Sequence, residues 1–231
     1  MFNRLGGRSP EPFDSLNLSY HTGDDGTLVR ANRARIMEVL GLQRLVSVKQ
    51  VHGDGIRVIE SAEALEEEDE GYDALISTVP GTGILIQQAD CQAILLADIQ
   101  KKVIAAVHCG WKGSVLNIIG TTVQHLTSHF QSNPASLRAV ISPSLGPCCA
   151  EFVHYRSELP QWMHPFQVRP NYFDFWAMSR TQLLQAGVLS EHIDTVKICT
   201  RCNHGFFSYR RATQGKNGIT GRNGSVIGLP V

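Results

Sequence analysis

The chain has 231 residues, 42% hydrophobic and 18% charged, with 21 basic side chains against 21 acidic ones. A chain of this size buries about 70% or more of its unfolded surface, so neither disulfides nor a metal are needed simply to fold. Zero net charge without a basic block argues against a nucleic-acid binder driven by counterion release, and no window approaches the about 18 apolar residues of a membrane span.

No repeat, low-complexity segment or long linker divides the sequence, so one domain is expected over 1–231. The opening MFNRLGGRSPEPF carries no export-type apolar stretch, which points to a cytoplasmic protein with reduced thiols. Residues 28–40 place Val29, Ile36 and Val39 on one helical face and stop before Gly41. Short β-rich runs follow at 44–51, 56–60, 73–77, 83–87, 93–98 and 102–107. The acidic run EEEDE at 66–70 reads as a solvated loop. Over 114–130, Leu116, Ile119, Val123, Leu126 and Phe130 recur at helical steps before Asn133-Pro134. A strand at 137–142 runs into the turn PSLGPCC. A helix over 174–186 is capped by Asp174, with Trp176 and Leu183 on one face and Ala177 and Leu184 on another, and Gly187 ends it. Strands at 192–199 and 224–229 close the chain. Without a strict βαβ rhythm, the expected fold is α+β, a mixed β-sheet core flanked by helices.

Three segments put metal-capable side chains at strand ends: KQVHGD (49–54), QADCQ (88–92) and AAVHCGWKG (105–113). His52, Cys91 and His108 would offer two imidazoles and a thiolate, a good donor set for zinc that leaves a fourth position open. Other zinc patterns are missing. No His has Glu two places on, as the deaminase motif requires, and only one Cys-x-x-Cys pair exists, Cys199 and Cys202. That pair reads as a redox pair, a half-site, or two neighbouring core thiols. His125 and His129 read as a polar helix face. The glycine patterns indicate no nucleotide cofactor. GFFSYRR at 205–211 sets Arg210 and Arg211 beside aromatics, so that an arginine could hold an anion next to a stacking ring.

The series PFDSLNLSYHTGD, QVHGD, DALISTVPG, QADCQAILLAD, AAVHCGWKG, SPSLGPCCAEF, FFSYRR and TGRNGSVIGL resembles, in order and over nearly the whole chain, the multicopper polyphenol oxidase/laccase-domain family. That family comprises zinc-containing purine nucleoside phosphorylases and includes the peptidoglycan editing factor. The resemblance implies zinc ligands at His52, Cys91 and His108. It also implies phosphorolysis of adenosine, guanosine or inosine and of S-methyl-5'-thioadenosine, with deamination of adenosine. Purine nucleosides and phosphate are thus the implied partners. The laccase label implies copper, but a single His/His/Cys site cannot supply the several coppers an oxygen-reducing laccase needs. The chain departs from the family pattern at Cys109, Lys112, Ser142, Ala150 and Arg201. Asp90 is expected to shuttle protons, Arg210 and Lys112 to hold anions, and Asn17 and Gln50 to make polar contacts to substrate. Two rivals stay open: a metal-free hydrolase with Cys91 as nucleophile and His108 as base, and a metal-stabilised protein acting on peptidoglycan precursors. Cys109, Cys148, Cys149, Cys199 and Cys202 are read as core or supporting thiols.

Overall fold

A computed structural model describes residues 1–61, 68–215 and 217–231. In chain order the elements are α1 (Gly26–Leu40), β1 (Arg44–Val46), β2 (Ile56–Ile59), β3 (Ala74–Ser77), β4 (Thr82–Gln88), β5 (Gln92–Asp98), β6 (Val103–Cys109), α2 (Trp111–Leu116) and α3 (Ile118–Phe130). They continue with β7 (Arg138–Ile141), α4 (Tyr155–Glu158), β8 (Gln167–Arg169), β9 (Tyr172–Phe173), α5 (Phe175–Gln185), β10 (Ile193–Thr195), α6 (Tyr209–Ala212) and β11 (Asn223–Gly228). A mixed six-stranded sheet runs β10-β7-β5-β6-β3-β2, and a three-stranded sheet runs β1-β4-β11.

Side chains alternate across a strand, and here both faces of the large sheet are covered. Ala74, Ile76, Ile94, Leu96, Val103, Ala105 and Val107 face α3 and α5, against Ile119, Val123, Leu126 and Leu183. Leu75, Ala93, Leu95, Ile104 and Ala106 face the small sheet, against Val46, Ile84 and Ile86. On the far side of the small sheet, Leu85 and Val226 pack with Ile36 of α1. The result is helix, sheet, sheet, helix, with strand ends of both sheets meeting at one edge.

Several sequence expectations shift. Val39 is 68% exposed, because the buried stripe of α1 runs through Val29, Asn32, Arg33 and Ile36. Asn32 and Arg33 are tolerated there because their polar atoms bond to the backbone of Ser15, Asn17 and Leu18. The helix expected over 114–130 is two helices. Asn117, at φ 56°, ends α2 and caps α3 by accepting the Gly120 N–H. The break turns Leu116 outward, 47% exposed, and Leu184 on α5 is likewise exposed. The strand expected over 44–51 stops at Val46, and that over 192–199 at Thr195, since the chain leaves both sheets to build loops.

The acidic run is not a solvated loop throughout; its first two residues lie outside the described residues. Glu68 is mostly buried and accepts from Arg33 (2.8 Å), Ser47, His21 (2.6 Å) and Gln87 (3.1 Å). Burial opposes its charge, but the Arg33 guanidinium and the Ser47 hydroxyl outweigh that and hold its pKa below the usual range. Glu68→Gln would leave Arg33 buried beside a neutral amide, at an expected cost of about 3 kcal/mol near neutral pH. A folded-state pKa that is depressed means stabilisation fully present above the unfolded value of about 4 and lost as pH falls through the folded one. Urea melts of both proteins should therefore converge on acidification; a gap that stays constant would show that the carboxylate charge contributes nothing.

Candidate metal centre and adjoining cavity

His108 lies one residue before the end of β6, with the parity of Ile104 and Ala106, and so faces the small sheet. Cys109 takes the opposite parity, buried among the residues that face α3. Burial pushes the Cys109 thiol up to about 12, and its sulfur lies 3.3 Å from the Ser114 hydroxyl. Cys91 sits in the tight link between β4 and β5, after Asp90 at φ 88°. His52, at φ 62°, caps a loop that leaves β1.

These three side chains converge: the ligand atoms of His52, Cys91 and His108 all lie within 4.8 Å of one another. The Cys91 sulfur is 3.9 Å from His52 Nε2, and the two imidazole rings meet edge to face with centroids 4.8 Å apart. Gly110 passes so close that a Cβ there would stand 3.0 Å from the Cys91 sulfur and 3.2 Å from the His52 ring. A larger residue would require the cluster to give way by a few tenths of an ångström.

The organising group is one that sequence reasoning missed. Asp73, fully buried, accepts from His108 Nδ1 (2.7 Å) and from the backbone N–H groups of Val51 (3.1 Å), His52 (3.0 Å) and Gly53 (2.7 Å). One carboxylate thus fixes the tautomer of one imidazole and the backbone carrying the other, the outer-partner arrangement that metal-binding histidines use. Its signal in the sequence was a lone charge opening the apolar run ALIS. Burial opposes the Asp73 charge, but His108 and the backbone donors hold its pKa low. Burial likewise opposes a thiolate at Cys91, yet His108 and His52 pull that thiol down to about 6. Against its own desolvation, His108 is raised to about 9 by Cys91 and Asp73. The cluster thus favours an anionic sulfur ready to bind a cation.

Two cavities meet at this cluster. One, of about 270 Å³, is walled by Trp111, Leu145, Phe152, Phe175, Tyr209 and Arg210. The other, of about 350 Å³, is polar, with His21, Lys49, Gln50, Gln87, Tyr209 and Arg222. Tyr209 and Arg222 were not singled out, although they stand in the segments FFSYRR and TGRNGSVIGL; they arrive from the last quarter of the chain.

Of the remaining expected contacts, only some reach the cavities. Gln50 lines the polar one, its amide paired both ways with the Gln87 backbone at 2.8 Å. Arg210 lines the aromatic one, but its guanidinium donates to the carbonyls of Cys149 (3.2 Å) and Glu151 (3.1 Å). Asp90 lines the aromatic cavity and accepts from Thr200 (2.6 Å), Ser208 (3.0 Å) and the Arg210 N–H (2.6 Å), so it also positions the 200–210 segment. Asn17 is fully buried and bonds Ser19, Thr22, Asp24 and Arg222, so it braces a loop instead of meeting substrate. Lys112 is exposed, with its ammonium 5.6 Å from the Trp111 ring, and lies outside both cavity linings. Arg211 donates to the carbonyls of Thr200, Arg201 and Phe206 and so holds a loop.

The described residues include no helix long and apolar enough to cross a membrane. Comparison with known proteins places this architecture. A purine nucleoside phosphorylase of Corynebacterium glutamicum is 32% identical over 98% of this chain and 92% of its own length. The purine nucleoside phosphorylase YfiH of Escherichia coli is 33% identical over 98% of this chain and 91% of its own. The crystal structure of YlmD from Geobacillus stearothermophilus superposes with a TM-score of 0.87 at 31% identity, covering 99% of this chain and 90% of that one. The family model described as multi-copper polyphenol oxidoreductase laccase matches residues 1–230. With the match running end to end in sequence and in fold, the chain belongs to that laccase-domain family.

Proposed function

We propose that this chain is a zinc-dependent purine nucleoside phosphorylase acting on adenosine, guanosine, inosine and S-methyl-5'-thioadenosine, with deamination of adenosine in the same cavity. The observation that carries the reading is the meeting of an aromatic cavity and a polar, cationic one at the His52–Cys91–His108 cluster. A planar purine suits the wall of Trp111, Phe152, Phe175 and Tyr209. The ribose and an anionic phosphate suit the side with Lys49, Gln50 and Arg222.

The donor set fits zinc: two imidazoles and one thiolate are borderline-soft ligands and leave a fourth position open. Among the described residues the other metal-capable cluster is all thiolate, so imidazoles for a multi-copper centre are not assembled. Zinc held there supplies Lewis acidity toward an oxygen of water or substrate. The protein's own groups supply the rest. Phosphorolysis breaks the C1'–N9 bond, joins C1' to a phosphate oxygen and leaves an electron pair on the base that a proton neutralises. Arg222 offsets the phosphate charge, joined by Lys49 once phosphate competes with the Glu70 carboxylate that pairs it at 2.9 Å, and the aromatic wall stacks on the base. Asp73 keeps His108 Nδ1 protonated and turns Nε2 toward Cys91.

The deciding experiment is incubation of metal-loaded protein with adenosine, with and without phosphate. Adenine formed only with phosphate is expected, together with slower formation of inosine. Absence of both products would overturn the reading and favour a binding role such as one on peptidoglycan precursors. A second reading has a specific observation behind it, because Cys91, His108 and Asp73 line up as nucleophile, base and orienting acid. Activity unaffected by a chelator would favour that one.

A further inference from the structure

We propose that Cys148, Cys149, Cys199 and Cys202 hold a second zinc, structural rather than catalytic, which clamps together the two loops that wall the aromatic cavity. All four are free thiols, and their sulfurs lie within 4.8 Å of one another. Cys202 is 3.4 Å from Cys149 and 3.7 Å from Cys148, sulfur to sulfur. A disulfide needs about 2.05 Å. Four sulfurs bound to one zinc at about 2.3 Å stand about 3.8 Å apart, the edge of the tetrahedron. Two of the six sulfur–sulfur separations lie close to that edge, and the rest stay within 4.8 Å, near enough for one ion to draw all four together. Cys149 and Cys199 are buried, in keeping with the core reading, but Cys148 and Cys202 are exposed, as expected of a site set into a surface loop.

The surroundings suit a centre that carries two net negative charges once four thiolates surround a divalent ion. Arg201 donates to the Cys149 sulfur at 3.3 Å. Arg169 and Arg210 bond the carbonyls of Cys148 and Cys149, at 2.9 and 3.2 Å. Gly146 itself admits nothing larger, since a Cβ there would meet Trp176 at 2.8 Å and the Cys199 Cβ at 3.0 Å.

The location gives the site its purpose. Beyond β7 and β10 the two chains continue side by side through a parallel bridge of Ser144 with Cys199. One of these segments carries Leu145 and Phe152 into the cavity wall, and the other leads to Tyr209 and Arg210. A closed site with four protein ligands has no position for substrate, which marks it as structural. The core can form without it, and its task is to hold two irregular loops at a fixed separation.

The test is elemental analysis of wild type, Cys91→Ser and a Cys148→Ser/Cys202→Ser double variant, each purified under reducing conditions. Cys91→Ser should keep one zinc and the double variant should hold one fewer than wild type, and cobalt-loaded Cys91→Ser should show the intense thiolate-to-cobalt absorption of a tetrahedral sulfur site that the double variant lacks. In wild type, the exposed Cys148 and Cys202 should resist alkylation until a chelator is added, a measurement that stands even if the double variant does not fold. Cys91→Ser protein that holds no zinc, or a double variant that keeps as much zinc as wild type, would overturn the proposal. So would alkylation indifferent to chelator, iron in place of zinc, or a mass deficit showing disulfides with no second metal. None of these outcomes depends on nucleoside turnover, so the site can fail while the proposed activity stands, and the reverse.

Discussion

Asp73→Asn is expected to weaken zinc binding at the His52–Cys91–His108 cluster by about 10- to 100-fold, the usual effect of removing the outer partner of a metal-bound histidine. Asp73 Oδ1 accepts from both His52 N–H and His108 Nδ1, and Oδ2 from the Val51 and Gly53 N–H groups. An asparagine keeps one acceptor oxygen and turns an NH2 group against donors on the other side. Two backbone N–H groups, or one of them and the imidazole, then lose their partner in a buried site, at a cost of about 1–3 kcal/mol for each unsatisfied group. The loss of charge also removes one of the two anions that raise His108. Competition with a chelator should reveal the weaker zinc site, and saturating zinc should restore much of kcat because the three ligands remain. A variant with unchanged zinc affinity would mean that Asp73 serves the fold alone.

The legibility of this site in the sequence followed from which residues carry a signal of their own. His52 and Cys91 stand beside Gly53 and Asp90, and His108 two residues before Gly110, where apolar runs end near the surface. That much can be read from one chain. The choice between His108 and Cys109 cannot, because β6 is buried on both faces and reads as an unbroken apolar run, which hides the alternation that sends one side chain to each layer. The helix over 114–130 shows a similar limit. Its apolar steps are real, but Asn117 tolerates the left-handed turn that divides it, and the period says nothing of such a break. Asn17 looked like a substrate contact because it is a polar residue in a motif, whereas its amide binds a loop together. Arg222 and Tyr209 reach the cavity only because β11 pairs antiparallel with β4 and α6 is tied to Asp90. The four-thiolate cluster was equally hidden, since Cys148-Cys149 and Cys199-x-x-Cys202 lie on separate loops and meet only after two parallel strands are in register.

Cys91→Ser should have the largest effect on activity, a loss of both phosphorolysis and deamination well beyond the about 100-fold expected of an outer partner. As zinc ligands the three side chains would not be equivalent. Two are imidazoles, and the sulfur is the only one that brings negative charge, with a thiol already pulled down to about 6 by His108 and His52 against its burial. A serine hydroxyl stays neutral at that pH, so a divalent cation would lose its anionic ligand and keep two neutral ones. The fold should survive, because Cys91 lies at the cluster and outside the four apolar cores. His108 should respond as well: with the thiolate gone, its titration is expected to fall from about 9 toward the ordinary histidine range, held up by Asp73 alone. Imidazole resonances followed by NMR in metal-free protein would show that shift. Because a Cys–His nucleophilic site would also be silenced by the serine, activity alone does not separate the two mechanisms. Chelation of wild type does. Under the zinc reading, the metal-free enzyme is inactive and returns with added zinc, whereas a thiolate nucleophile would be freed by the same treatment. Full turnover by metal-free wild type would sink the zinc reading and leave Cys91, His108 and Asp73 as the catalytic group.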